Sequence, residues 1–448
     1  MRSRQSILQN NEQLLMNELT ILLLCLQPLL NRSTYRQLLV ISQSLLVMRG
    51  RVTMSGISRW AEKGGSYRTV QRFFAKDIYW VLLNWSIVKE FFRGSSGAVL
   101  IAGDATTVTK SGKKTFGLGK FFSSVYSRPV PGIAFQTLSL LDVERRKSRP
   151  MLTEQILPQP KQEKSRTKKK KQGRGRPKGS KNKNRRDVEL NAEMTQVRKM
   201  LRQLLNLIGN KIKIAYFVYD GAFGNNAAVQ MTRQVGLHLI SKLRCDSELY
   251  FKWQGVYSGR GRRPIYGDRV DYSELPASCL KSEKTEAGIH TRIYQFEARH
   301  KKFADSLNAV IISKKNVRTG QTAHVVLFSS DLKLDGEDII HYYRLRFQIE
   351  FNFRDAKQHW GLEDFMVVKQ QSVFNAANLS LWMVNISHAI LERSDEQSII
   401  DLKSRYHGIR YAQEILKVLP ENSEPINISQ LIQKIPMLGR IHRAKMAA

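Results

Sequence analysis

Apolar residues are spaced in two ways along this chain, and the change between them divides it. Through Leu14–Leu30 and Leu38–Met48 they recur every three or four positions, the period of helices with one buried face. Pro28, Gly50 and Gly64–Gly65 punctuate these runs, so residues 1–95 read as a helical domain. From Ala98 the apolar runs become nearly continuous. AVLIAGDATTV (Ala98–Val108) reads as a buried strand with Asp104 at its end, and GIAFQTLSLLDV (Gly132–Val143) as a further strand. After a helix over Val188–Ile208, KIKIAYFVYD (Lys211–Asp220) repeats the pattern, a strand with Asp220 at its end. A helix (Asn225–Val235) and a strand (Leu237–Leu243) follow, which makes residues 96–244 the first part of a mixed α/β core. Residues 245–330 change to short alternating strands with Gly and Pro between them, a β-rich insertion. Leu249–Trp253, Thr291–Arg299, Ala309–Ser313 and His324–Ser330 are its strands. LDGEDIIHYYRLRFQIEFNFRDAKQHWG (Leu334–Gly361) predicts one long helix, capped by Asp335 and stopped at Gly361, within a last core segment over 331–370. Val373–Leu391 and Ile400–Leu419 then make 371–448 a helical C-terminal region.

Charge adds a partner to this outline. The 448 residues carry a formal net charge of +35. Residues 161–186 hold 14 Lys/Arg against one Glu, a net +13, which leaves +22 for the rest. A solvated tail explains the lysine run but not the remainder. A polyanion explains both, because neutralising phosphates releases counterions. The expected partner is a nucleic acid. No membrane role is expected, since the apolar run at Ile21–Leu26 is too short to span a bilayer and lies too far in for a signal peptide. Cys25, Cys245 and Cys279 form neither a disulfide framework nor a zinc pattern, which fits a reducing cytoplasm and a nucleoid-associated protein.

Within the basic stretch, residues 150–188 read as a disordered insertion. Its Gly173-Arg174-Gly175-Arg176-Pro177 resembles an AT-hook, whose extended Arg-Gly-Arg fits a narrow A·T minor groove; a plain basic linker is the alternative. Met54–Phe74 reads as helix, glycine turn and helix. Arg68 and Arg72 on the second helix are the candidates for DNA contact in a helix-turn-helix, unless the piece is only a packed helical bundle.

The candidate chemistry lies on the long helix. At about 100° per residue, Tyr343, Arg346, Glu350 and Lys357 fall within about 60° of arc, with Arg354 beside them. One acid framed by cations and a phenol among aromatics suits a carboxylate that holds a metal while its neighbours hold phosphates. The spacing Tyr-x2-Arg-x3-Glu-x6-Lys resembles the Y-R-E-K signature of bacterial insertion-sequence DDE transposases of the insertion-sequence-four group. Asp220-Gly221-Ala222-Phe223 resembles the second motif block of the same family.

That resemblance implies a ribonuclease-H-like catalytic core with a β-rich insertion, flanked by helical N- and C-terminal regions. It implies Asp104, Asp220 and Glu350 as the catalytic and metal-holding triad, separated by 116 and 130 residues. Their hard oxygens suit Mg²⁺, with Mn²⁺ able to substitute, in two-metal phosphodiester chemistry. Tyr343, Arg346, Lys357 and Arg354 would bind DNA phosphates. Trp253, Phe328 and Phe347 are the candidates for stacking a flipped base. The implied activity is cutting at element ends and joining 3′-hydroxyls to target DNA, by a homodimer in the complex with double-stranded DNA and with no small-molecule substrate. A nuclease without strand transfer and a non-catalytic DNA-binding protein are the alternatives.

Overall fold

The computed structural model describes residues 18–61, 64–93, 97–123, 126–158, 184–257 and 259–418. At its centre is a mixed sheet of twelve strands. β1 (Val99–Thr109) lies antiparallel to β3 (Arg128–Asp142) and parallel to β5 (Ile214–Val218). β3 also pairs with β2 (Gly119–Ser123) and β4 (Lys147–Ile156), and β5 runs parallel to β6 (His238–Leu243). The β-rich stretch supplies β7 (Leu249–Lys252), β8 (Tyr266–Arg269), β9 (Leu280–Glu286), β10 (Ile289–His300), β11 (Leu307–Asn316) and β12 (Thr322–Ser329). These strands continue the same sheet, because β12 pairs antiparallel with β6.

Two sequence expectations change here. Asp104 is not at a strand end: Thr106, Thr107, Val108 and Thr109, β-branched throughout, carry β1 five residues past it. Nor is 150–188 irregular from its start. β4 extends to Ile156, its residues Pro150–Thr153 buried against β3. At the other end, Arg185 donates to the Tyr266 hydroxyl (3.2 Å) and Arg186 pairs with Asp305 (2.8 Å). The AT-hook-like Arg174 and Arg176 lie outside the described residues, as does the tail from residue 419.

The helices are α1 (Arg32–Val47), α2 (Met54–Trp60), α3 (Tyr67–Phe74), α4 (Trp80–Val88), α5 (Ala192–Ile208), α6 (Asn226–Arg233), α7 (Gly336–Leu345), α8 (Gln348–His359), α9 (Gln370–Leu391) and α10 (Ile399–Val418). The single helix expected over 335–361 is therefore two, α7 and α8. Its ends are as read: Asp335 accepts from the Glu337 N–H (2.8 Å), and Gly361 (φ +81°) closes the run with Leu362 N–H on Ala356 O (3.0 Å). Between them, Phe347, Ile349 and Glu350 donate three residues back, to Arg344, Arg346 and Phe347, so one tight turn separates the halves.

The break has a packing cause. α7 buries Ile339, Ile340, Tyr342 and Leu345 on the sheet against Leu100, Val218, Ile240 and Leu327. α8 instead buries Ile349, Phe353 and Ala356 in a second core, with α9 and the N-terminal helices. A straight helix could not serve both. The other sheet face is covered by α5 and α6, through Val197, Leu201, Leu204 and Met231. Among the described residues no helix is long and apolar enough to cross a membrane.

Candidate active site

Asp104 projects from the middle of β1, opposite Thr137 of β3, and its Oδ1 accepts from the Ala105 N–H at 2.8 Å. Its backbone carbonyl receives Gln136 Nε2 (3.0 Å), and Gln136 Oε1 receives the Tyr219 hydroxyl (2.7 Å). The Tyr219 ring passes so close to β1 that a Cβ at Gly103 would lie 2.7 Å from it. Glycine before Asp104 thus lets β5's continuation lie against β1.

Asp220 stands two residues beyond β5. It caps a short turn, its Oδ1 accepting from the Ala222 N–H (3.0 Å), and Ser241 donates to its carbonyl (2.6 Å). The turn packs through Phe223, which stacks on Tyr219 with ring centroids 3.7 Å apart. Glu350 lies in the first turn of α8 and is exposed.

Arg346, at the break between α7 and α8, joins these acids. Its Nη1 lies 2.6 Å from Asp104 Oδ2 and its Nη2 3.6 Å from Glu350 Oε1, while its Nε is buried with no partner. Burial pushes the Asp104 carboxyl up to about 6; Arg346 opposes this, and the nearby charges of Asp220 and Glu350 add to it. Burial also works against the Arg346 charge, but Asp104, Tyr343 and Asp220 outweigh it and hold the guanidinium above its ordinary value. Burial raises the Tyr343 phenol, which sits against Arg346. The fold thus gathers Asp104, Asp220, Glu350, Arg346 and Tyr343 from a strand, a turn and a broken helix.

Other expected residues fare differently. Lys357 reaches the same strand, donating to Thr107 O (3.1 Å) and pairing with Glu363 (3.2 Å), so it is held by protein partners. Arg354 is exposed, over the Phe351 ring (4.8 Å). Phe347 is half exposed beside Glu350, edge to face with Phe351. Phe328 cannot stack a base: as part of β12 it points inward, wholly buried against Phe303. Trp253 follows β7, six places from β1 in the strand order, with Arg263 over its ring; the sheet does not bring it to the acids. Arg68 and Arg72 are exposed along α3 with Tyr67 and Gln71, while Val70, Phe73 and Phe74 face the core.

The structure adds one acid the sequence did not flag. Glu193, in the first turn of α5, is pushed up by burial and by the charge of Asp220. Its local signal was only the helix start marked by Asn191, which accepts from the Met194 N–H (2.8 Å). Its nearness to Asp220 is a tertiary fact. Gln136 and Tyr219 were likewise hidden within apolar runs.

As donors, three carboxylates suit a hard divalent cation. Among the described residues, however, no three His, Cys, Asp or Glu side chains stand close enough to share a metal ion. The Arg346 guanidinium lies between two of the acids instead.

A family model described as DDE superfamily endonuclease matches residues 25–302. No curated protein matches. Among solved structures, the chain is similar to piggyBac transposase in its synaptic complex with hairpin DNA. The identity is 9% and the TM-score 0.37, over 91% of this chain and 76% of that one.

Proposed function

The chain belongs to the DDE superfamily endonucleases, and from that premise we propose that it is a transposase whose catalytic acids are Asp104, Asp220 and Glu350. The observation that carries this reading is that Asp104 of β1 and Glu350 of α8 flank Arg346 at 2.6 and 3.6 Å, with the charge of Asp220, from the turn after β5, acting on the same guanidinium. The order β4-β3-β1-β5-β6, antiparallel to β1 and parallel beyond it, with Asp104 on the central strand, supports a ribonuclease-H-like core. The Tyr-Arg-Glu-Lys spacing supports placement with the insertion-sequence-four group.

In this reading Asp104, Asp220 and Glu350 would hold Mg²⁺ or Mn²⁺, which when bound stabilises negative charge developing on a phosphodiester. The chain's own residues do the rest. Arg346 presents a planar fork to phosphate oxygens, and Tyr343 adds a neutral hydroxyl, since its phenol stays protonated. Lys357 keeps one ammonium hydrogen beyond the two given to Thr107 and Glu363. Phe347 offers an exposed ring beside Glu350 for an unstacked base, edge to face with Phe351. Exposed Arg68 and Arg72 on α3 bind DNA away from the acids.

The test is excision in cells. The gene is supplied on one plasmid, and its native flanking DNA, interrupting a reporter, on another. Precise repaired junctions with wild type that vanish with Asp220→Asn support the reading. Cutting of the flanks with no joined product in target DNA would replace it with a nuclease lacking strand transfer.

A further inference from the structure

We propose that Arg346 is a built-in counter-ion that keeps divalent cations out of the acid cluster until DNA draws it away. The inference rests on the reading of Asp104, Asp220 and Glu350 as metal-holding acids. Four observations lead to it.

The guanidinium lies between two of the acids, 2.6 Å from Asp104 Oδ2 and 3.6 Å from Glu350 Oε1. It is the positive group among the acids, because Lys357, the nearest other cation of the motif, is turned to Thr107 O and Glu363. Its own bonding is incomplete. Nε is buried without a partner, so the fork engages the acids through its two terminal nitrogens alone. A phosphate, with oxygens on several sides, satisfies more of those donors than two carboxylates from different elements do. Finally, Arg346 sits in the turn between α7 and α8, where the ladder shifts to three-residue spacing. The Arg346 N–H still closes α7 on Tyr342 O (3.2 Å), so drawing the guanidinium away calls for a rotamer change of the side chain alone while both helices keep their backbone.

The competition has a definite sign. A divalent ion entering beside Asp104 and Glu350 meets the fixed positive charge of Arg346 as well as the acids. Displacing it breaks a short charged hydrogen bond unless another anion receives the guanidinium. A DNA phosphate at the site is that anion. Metal loading and DNA loading then favour each other, and free protein carries little metal with which to cut DNA at random.

The experiment measures Mn²⁺ binding to the full chain by electron paramagnetic resonance, with and without a duplex of the flanking DNA. Wild type is expected to bind Mn²⁺ weakly alone and about ten-fold more tightly with duplex, a coupling of ordinary size. Arg346→Gln should bind Mn²⁺ about ten-fold more tightly than wild type without DNA, and gain little when DNA is added. Arg346→Lys keeps the charge and should stay weak without DNA, which separates charge from mere repacking. Circular dichroism of each variant checks the fold. Arg346→Gln binding no tighter than wild type, or wild-type affinity indifferent to DNA, overturns the proposal. Asp220→Asn and Glu350→Gln serve a separate purpose: should they bind Mn²⁺ as wild type does, the metal-holding reading itself fails.

Discussion

Gly103 and Tyr219 decide how close β5 can come to Asp104. A Cβ at position 103 would lie 2.7 Å from the Tyr219 ring, which in turn holds Gln136 on the Asp104 carbonyl. Gly103→Ala is therefore expected to cost about 1–3 kcal/mol, as overpacking does, and to displace Asp104. Urea unfolding checks the first part, and a loss of activity larger than the stability change explains checks the second. Behind α8, His388 lies 3.6 Å from the buried Asp355, with Arg149 and Lys147 also acting on it. Burial, ahead of the opposing pull of Asp355, lowers its basicity below the ordinary 6.5. Below that value the unfolded chain binds the extra proton more readily, so stability should rise with pH through the window just under 6.5. Comparing wild type with His388→Gln by denaturation from pH 5 to 7.5 checks this; the rise should shrink in the variant. Asp104 and Asp220 were legible as candidates because each follows an apolar run, and Glu350 because of the residue spacing around it. Glu193, Gln136 and Tyr219 were not, because their role lies in contacts between elements far apart in sequence.

At the scale of elements, the broken helix is the clearest case of local pattern overruled. From Asp335 to Gly361 caps, period and stop all read as one helix, and the ends are where they were expected. Nothing local marks Arg346–Phe347 as a turn, because the cause is two cores facing different ways. Continuous apolar runs read correctly as strands, yet β1 outlasted Asp104 because threonines are polar in composition and strand-forming in shape. For α3 the amphipathic split is clean, with Val70, Phe73 and Phe74 inside and Arg68, Gln71 and Arg72 outside. Arg68→Ala with Arg72→Ala should lower the salt dependence of DNA binding by about two in the log–log slope. Titrating a labelled duplex at several salt concentrations checks it. Mn²⁺ binding should be unchanged in that variant, since α3 does not contribute to the acids.

Across the whole molecule, the N-terminal helices are not an appendage. Leu38, Leu45, Phe73 and Trp80 share one core with Ile349 and Phe353 of α8 and with Trp382 and Ile386 of α9. The seam is polar as well as apolar. Asn375, fully buried, accepts from Trp80 Nε1 (2.8 Å) and donates to Phe74 O (2.9 Å) and Lys76 O (2.7 Å). Asn375→Leu strands Trp80 Nε1 and Phe74 O, while Lys76 O keeps its bond from Gln371 Nε2 (3.1 Å), and should cost roughly 2–4 kcal/mol, read as a drop in the urea midpoint. Because α8 is backed by this seam, the loss should be accompanied by weaker catalysis. Such long-range coupling could not be read from a sequence whose termini looked like separate helical regions.

The central claim is that three acids on β1, the turn after β5 and α8 form one DNA-cutting centre. The most direct measurement is cleavage of a duplex carrying the native flanking DNA, in Mg²⁺, by wild type and Glu350→Gln. Glu350 is exposed and only 3.6 Å from its nearest charged partner, so the variant should fold as wild type does. The account predicts cuts at the element ends with wild type and a loss of about a hundred- to a thousand-fold with Glu350→Gln, the scale of removing a principal electrostatic group from a catalytic centre. Equal cutting by the two proteins would contradict it.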